Sequence, residues 1–562
     1  MYGGGRGTTV FISVRTSIKR KYESIPKKES RVVLILGIVL FFTSLMLIPS
    51  VILAFRAGDS IWPFVIPLAL GLAASVYMCL KFKLPNDMRP ADGLMMMFSV
   101  WILLFAFGTL PFLIDGMTLI DAIFESVSGF STTGATILRD VESASAGILF
   151  WRVTTNWIGG IIIVMMFMFI IPMVVTGGRG LLKNEMSGSG GGNLSMKLGS
   201  AAKQFIVMYI ILTAIFAGVL LLLGVSIVDS VTIAMSSISI GGFLNTNDSM
   251  ASYSIFVKLS VALFMIISAS NFYLHYRALF KGDLRGYAKN EEFKVMVVWF
   301  FFVFMMIAVQ CLVSGAWGDL EGSAGDKLVN IIFTVVSVGT TSGFSAVDVN
   351  YEQRWPFIDL SLFMVLMFIG GSAGSTSGGV KISRIIIAIK ALFNEIRQEV
   401  HPNAIYSVRF NGGGVSGDVV HSAMVVITAF VVAVGIGAAL FNMIFSLDDA
   451  VFMAVAMVTN TGIGSGAYFS NFADFPVWTK LVSCALMFLG RMEILAILVI
   501  FTPGFWLEFL GRGGINDIKS KITSVGKIRV AKRKKAEAEE IGLPVAEAPS
   551  EEPPVQEAPA EE

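Results

Sequence analysis

Apolar runs of about twenty residues recur from one end of this chain to the other, and that recurrence limits the fold more than any other feature. Arg31 to Phe55 and Ile61 to Phe82 each match the ~20 residues that a helix needs to cross a ~30 Å hydrocarbon core. Further runs are Leu94 to Ile114, Ile148 to Pro172, Phe205 to Ile227, Ile255 to Phe280, Val295 to Val313, Phe357 to Phe393, Val419 to Phe445 and Val477 to Trp506. Ten membrane segments are therefore expected. The alternative, buried helices of one large soluble core, is opposed by the composition, which is 55% hydrophobic and 15% charged with a mean hydropathy of +0.76. The expected class is an all-α integral membrane protein.

The net charge of +2 is uninformative, but its placement is not. Arg15, Lys19, Arg20, Lys21, Lys27 and Lys28 crowd the N-terminal tail. Alternate connections continue the pattern with Lys83 and Arg89, then Arg179, Lys183, Lys197 and Lys203, then Lys281, Arg285 and Lys289, then Lys390, Arg397 and Arg409. The opposite connections are acidic: Asp115, Asp121, Glu125, Asp140 and Glu142; Asp229 and Asp248; Asp319, Glu321 and Asp326; Asp448, Asp449 and Asp474. The positive-inside rule then places both termini in the cytoplasm of a multi-pass protein of the cytoplasmic membrane. An acidic outer face would concentrate cations at the mouth of a pore. The basic start has no apolar core or small-residue cleavage site before Arg31, so no removable signal peptide is expected. Cys79, Cys311 and Cys484 lie in apolar runs, and His275, His401 and His421 are scattered, which argues against a disulfide framework or a zinc site.

After two leading segments come four similar units, each an apolar helix, a short half-helix, a glycine-containing loop and a second apolar helix. Asp121-Ala-Ile-Phe leads to Thr132-Thr133-Gly134, and Asp229-Ser-Val-Thr leads to Ser239-Ile240-Gly241. Asn330-Ile-Ile-Phe leads to Thr341-Ser342-Gly343, and Asp449-Ala-Val-Phe leads to Asn460-Thr461-Gly462. An Asp or Asn stands twelve or thirteen residues before the glycine each time. One module used four times is the expectation. The boundaries are a basic tail at 1–30, a two-helix domain at 31–90, units at 91–176, 177–282, 283–400 and 401–512, and a tail at 513–562. In that tail Lys519 to Lys535 is basic and suited to anionic lipid headgroups, while 536–562 is rich in Ala, Glu and Pro and expected to be disordered.

Asp121 to Phe130 covers roughly 15 Å as a helix, half a membrane, so such a segment must enter and return on one side. Irregular backbone at that depth is tolerated only around a water-filled cavity or inside protein. The acid opening each half-helix suits its positive end and is expected to act as an N-cap rather than to bind an ion. Loops of Thr, Ser and Gly after a half-helix are the way to build a cation filter: carbonyl oxygens replace the ion's water shell, and glycine permits the angles that aim them.

These residues carry a resemblance. Gly129-Phe-Ser-Thr-Thr-Gly-Ala-Thr136, Ser239-Ile-Gly-Gly-Phe243, Phe368-Ile-Gly-Gly-Ser-Ala-Gly-Ser-Thr-Ser-Gly-Gly-Val-Lys381, His401-Pro-Asn-Ala-Ile-Tyr-Ser407, Gly490-Arg-Met-Glu493 and Phe501-Thr-Pro503 stand in the matching order. Over about Arg31 to Trp506 the chain resembles the TrkH/KtrB/HKT superfamily of potassium transporters, and the TrkH type most. The resemblance implies two leading helices followed by four helix–pore loop–helix repeats in pseudo-fourfold arrangement around one pore, with potassium as the substrate and no cofactor. It implies a homodimer with one pore per protomer and a separate cytosolic nucleotide-binding regulatory subunit of the TrkA kind. It does not imply a nucleic-acid partner. The fourth loop departs from the TrkH pattern, which often has Leu before the glycine and Pro after it, where this chain has Asn460-Thr-Gly-Ile-Gly464. A serine in place of Gly134 would point to sodium transport, as in plant relatives.

The third unit's second helix is interrupted by Gly370, Gly371, Gly374, Ser375, Thr376, Gly378 and Gly379. A Gly/Ser break in a membrane helix frees backbone groups and belongs at a cavity or hinge. It is not a phosphate-binding P-loop, because Val380 separates Gly379 from Lys381. The resemblance implies an intramembrane gating loop here, with Arg491 near it helping to block the pore. An intramembrane arginine costs ~2.5 kcal/mol or more and needs a cavity or a partner, so pairing with the break's polar groups or with a nearby Asp or Glu such as Glu493 is also expected. A sodium- or proton-coupled symporter is the competing transport mechanism. The chain offers no nucleophile–base pair or paired catalytic carboxylates, so an enzyme is not expected.

Overall fold

In lipid a backbone must satisfy its own N–H and C=O groups, so apolar runs of this length have to become helices. The computed structural model, which describes residues 28–30, 32–83, 90–166, 194–315, 317, 322–346, 357–404, 406–465, 471–507 and 509, is accordingly all-α apart from two short strand pairs. Most of the expected N-terminal tail and the whole tail at 513–562 lie outside the described residues. The chain divides into a compact unit at 1–500 and a second at 501–562, of which 501–507 and 509 are described.

The leading helices are α1 (Val33–Leu45), α2 (Ile48–Ala57) and α3 (Trp62–Lys81), with α1 packed along α3. The first unit is α4 (Pro90–Ile114), the half-helix α5 (Leu119–Phe130) and α6 (Ala146–Met165). The second is α7 (Leu194–Leu222), half-helix α8 (Ile227–Ser239), α9 (Ile255–Ser268) and α10 (Phe272–Lys281). After α11 (Arg285–Lys289), the third unit is α12 (Glu291–Ser314), half-helix α13 (Ala324–Thr340), α14 (Phe357–Ile369) and α15 (Ile382–Val400). The fourth is α16 (Gly417–Phe441), half-helix α17 (Leu447–Val458), α18 (Val477–Arg491) and α19 (Ile494–Ile500).

Each half-helix packs against two helices of its own unit and one of the unit before it. Thus α6 packs on α8, α9 on α13, α14 on α17, and α18 returns to pack on α5. The last contact closes the series.

Three expectations change. By length and composition, seven described helices could cross a membrane, or nine counting two bent pairs, rather than ten continuous segments. The bent pairs are α9–α10, at 99°, and α18–α19, at 103°; the run from Phe357 to Phe393 is instead a short apolar helix, a loop and an amphipathic helix. The aspartates are not N-caps. Thr118, Ser226, Ser323 and Ser446 hold that position and accept from the N–H of Asp121, Asp229, Asp326 and Asp449 at 3.2–3.3 Å. Each hydroxyl in turn donates to its aspartate at 2.7–2.8 Å, so a neutral cap and an acid three residues on satisfy the helix start together. Finally, the third unit's capping acid is Asp326. Its half-helix has 17 residues against 12 or 13 in the others, which leaves Asn330 one turn beyond Asp326.

Candidate functional site: four glycine loops and three broken helices

All four half-helices end alike. Thr132, Ile240, Thr341 and Asn460 turn left-handed, with φ of 52°, 56°, 66° and 57°. The next residue's N–H reaches back to a half-helix carbonyl: Thr133 to Ser128, Gly241 to Ser236 and Thr461 to Ala456 at 2.9 Å, and Ser342 to Ser337 at 2.8 Å. The glycine after that is left-handed again, and here the second loop corrects its expected register. The residue that matches Gly134, Gly343 and Gly462 (φ 80°, 77°, 72°) is Gly242, with φ 79°, and not Gly241. Ser239 is therefore the last helical residue, and Ile240-Gly241-Gly242 is the loop's equivalent triplet. With that shift, Asp or Asn stands thirteen residues before the glycine in every unit. The loop holds two adjacent glycines, and it is the second that takes the left-handed angle.

A cavity of about 130 Å³ is lined by Gly134, Gly242, Gly343 and Gly462 together. Each of these glycines presses on the following loop. A Cβ on Gly134 would sit 2.4 Å from the Gly241 carbonyl oxygen, one on Gly242 2.6 Å from Ser342 O, one on Gly343 2.2 Å from Thr461 O, and one on Gly462 2.0 Å from Thr133 O. The contacts run from first loop to second, third and fourth, and back to the first. Hydroxyl pairs brace three of the loops: Ser131 with Thr133 at 2.7 Å, Thr340 with Ser342 at 3.0 Å and Thr459 with Thr461 at 2.9 Å. The Asn460 amide donates to Thr133 Oγ1 at 3.0 Å and to Met487 O at 2.8 Å, tying the fourth loop to the first. The donor set offered is neutral oxygen, which suits a hard monovalent cation, and four half-helix C-termini add their negative dipole ends. On the acidic connections, Asn247 donates to Asp140 at 2.8 Å and holds that carboxyl below the usual carboxylate range.

Residues 370–381 are seated against the ends of three half-helices. Gly378 N–H donates to Thr341 Oγ1 at 2.7 Å, Thr376 Oγ1 donates to Ile238 O at 3.0 Å, and a Cβ on Gly378 would lie 1.8 Å from Thr459 O. Gly370, Gly374 and Gly379 are left-handed, and a Cβ on Gly371 would meet Ser377 and the Ala269 carbonyl. Ser375 donates to Ser372 O within the loop. The sequence did not show that the second unit is broken too: Ser372 N–H bonds Ala269 O at 2.8 Å and Phe272 N–H bonds Gly374 O at 3.0 Å, across the α9–α10 bend. At the α18–α19 bend, Arg491 is 3% exposed and donates to Thr376 O at 3.0 Å, while its Nε and Nη2 have no hydrogen-bond partner among the described residues. Of its two expected kinds of partner, the break supplies one. Glu493 pairs instead with Arg384, at 2.6 and 2.7 Å.

Two buried groups escaped the sequence reading. Glu292 accepts from Ala373 N–H at 2.6 Å and Ser383 N–H at 3.2 Å, tying the break to the first turn of α15. Glu125, expected on the outer face, is wholly buried against Arg152 at 2.5 Å. An arginine inside the apolar run from Ile148 was the available signal, the same one that marked Arg491.

The cation transport protein family TrkH matches residues 72–506 of this chain. The chain belongs to the TrkH family. It is 32% identical over 483 residues to "Trk system potassium uptake protein TrkH" of Salmonella typhimurium, covering 84% of this chain and 98% of that protein. It is 28% identical over 484 residues to "Trk system potassium uptake protein TrkG" of Escherichia coli, covering 84% and 97%. Among solved structures, the potassium transporter TrkH from Vibrio parahaemolyticus superposes with a TM-score of 0.76 at 28% identity, over 85% of this chain and 99% of that one. TrkH membership makes this a transport protein and not an enzyme.

The register predicts how alanine acts at neighbouring glycines. The space beside Gly241 is filled by the Asn156 side chain, whereas Gly242 meets only backbone. In thermal unfolding of the detergent-solubilised protein, Gly242→Ala is expected to lower the midpoint, with no relief from Asn156→Gly. The loss in Gly241→Ala should shrink in the Asn156→Gly background. Gly435→Ala, inside α16 with open space around it, should be neutral or stabilising by up to about 1 kcal/mol.

Proposed function

We propose that this protein takes up potassium across the cytoplasmic membrane through a pore whose selectivity filter is the four loops. One observation carries this: four left-handed glycines, one per unit, each packed on the next loop's backbone so that the series closes. Helix packing closes in the same order. Both support a pseudo-fourfold arrangement around one axis, with the oxygens of 132–134, 240–242, 341–343 and 460–462 around it. The relatives' names supply the ion, and Gly134 in place of serine agrees with potassium.

The gate is assigned to residues 370–379 with Arg491. A guanidinium held by Thr376 O, with Nε and Nη2 unpaired among the described residues, is a positive charge against the intramembrane loop, and a cation there repels potassium. Displacing the loop would carry its anchor away. The family further suggests a homodimer with one pore per protomer, a cytosolic TrkA-type regulatory subunit, contact with membrane lipid and both termini in the cytoplasm. Coupling to sodium or protons is the competing mechanism. Its supporting observation is the ionisable set of Glu292, Lys381, Arg384 and Glu493 at the breaks.

In a host lacking its own potassium uptake, the wild-type chain is expected to restore growth at low potassium. Gly134→Ser and Gly343→Ser should abolish that rescue or make it sodium-sensitive; rescue as good as wild type would mean the loops are not the filter. Arg491→Ala is expected to raise potassium flux without the regulatory subunit several-fold, and unchanged flux from equal amounts of protein would remove Arg491 from the gate.

A further inference from the structure

We propose that the buried Glu125–Arg152 pair is a positioning element that sets the spacing of the first and second loops and so determines how well the filter rejects sodium. This rests on the loops being the filter. The two side chains are 0% and 1% exposed, with Arg152 Nε 2.5 Å from Glu125 Oε1. Each also holds the outgoing limb of a loop. Glu125, on α5, accepts from Ile137 N–H at 3.1 Å and from Thr136 Oγ1 at 3.1 and 3.3 Å. Arg152, on α6, donates to Thr136 Oγ1 at 2.9 Å and to Leu244 O at 3.4 Å, and its guanidinium lies 4.3 Å from the centre of the Phe243 ring.

Thr136 and Leu244 stand two residues beyond Gly134 and Gly242, so one guanidinium spans equivalent points on adjacent loops. Arg152, Thr136, Phe243 and Leu244 line the cavity that the four glycines line. An unneutralised arginine in that wall would repel a cation, and an unneutralised glutamate would trap one. Paired, they leave the electrostatics nearly neutral and retain only their geometry.

That geometry is what an apolar pair would lack. A buried ion pair adds little net stability over well-packed apolar side chains, but a planar fork with fixed donors holds several acceptors at set distances. No other unit has an acid at the matching position. The residues that match Glu125, nine before each loop glycine, are Ile233, Thr334 and Met453. The third loop is held differently, by Lys258 Nζ on Ala346 O at 3.1 Å and on Asn330 Oδ1 at 3.0 Å. The first-to-second contact therefore has its own independent spacer.

The test is potassium uptake by the purified full-length protein in liposomes, with sodium as competitor, for Glu125→Gln, Arg152→Lys and Gly134→Ser. Each is checked first for monodispersity. Glu125→Gln and Arg152→Lys are expected to keep transporting potassium while the potassium-over-sodium preference falls about tenfold, because a loosened cage admits the smaller ion. Lysine keeps the charge but not the fork, so normal preference in Arg152→Lys would overturn the proposal. A preference altered by Gly134→Ser but not by Glu125→Gln would overturn it and leave the filter standing. No change in any variant would overturn both. If the charged-residue variants do not fold, Thr136→Val removes the hydroxyl that both groups share while leaving the pair intact. It should shift preference in the same direction, and an unchanged ratio would overturn the proposal.

Discussion

A glycine Cα resting on the carbonyl of the next loop is the contact on which the rest of this structure depends. It occurs at Gly134, Gly242, Gly343 and Gly462, and at none of them is there room for a methyl group. Without a side chain each loop approaches until its glycine rests on the neighbouring carbonyl, and glycine takes the left-handed φ that the turn needs at little cost. The residue two before each glycine takes the same unfavourable region without being glycine, which costs of order 1–2 kcal/mol apiece. Half-helix carbonyls that accept the following N–H groups hold it there. Ile240 makes the point most sharply, since a β-branched residue is rarely left-handed unless its surroundings fix it.

Around this contact the four units are alike in scaffold and unlike in support. The capping pairs at Thr118/Asp121, Ser226/Asp229, Ser323/Asp326 and Ser446/Asp449 repeat with little variation. The bracing is specific to each unit: Glu125 with Arg152 in the first, Lys258 on the third, Asn460 from the fourth to the first. The second helices of units two, three and four are broken, and the breaks meet where residues 370–381 touch Ala269 on one side and Arg491 on another. Repeated parts thus bring the four loops together, and the unrepeated ones brace each contact differently and seat residues 370–381 against the half-helix ends.

Much of this was legible in the sequence. The apolar runs gave the helices, four half-helices gave the loops, and Gly370 to Gly379 announced a break. What could not be read was decided by tertiary contacts. A Gly-Gly pair does not say which member takes the strained angle, so the sequence alone puts the second loop one residue early. An acid before a half-helix looks like a cap until the Ser or Thr three residues earlier is seen to hold that place. The α9–α10 bend falls at Ala269-Ser-Asn271, with no glycine or proline to mark it. Glu125 read as one more outer acid because its partner lay in another helix.

Whether the four loops share one ion site is tested most directly by heavy-cation scattering. In crystals of the protein soaked in rubidium, anomalous density is expected on the common axis, within coordinating distance of backbone oxygens from all four of 132–134, 240–242, 341–343 and 460–462. Density confined to the acidic connections, or bound to one or two loops alone, would contradict it.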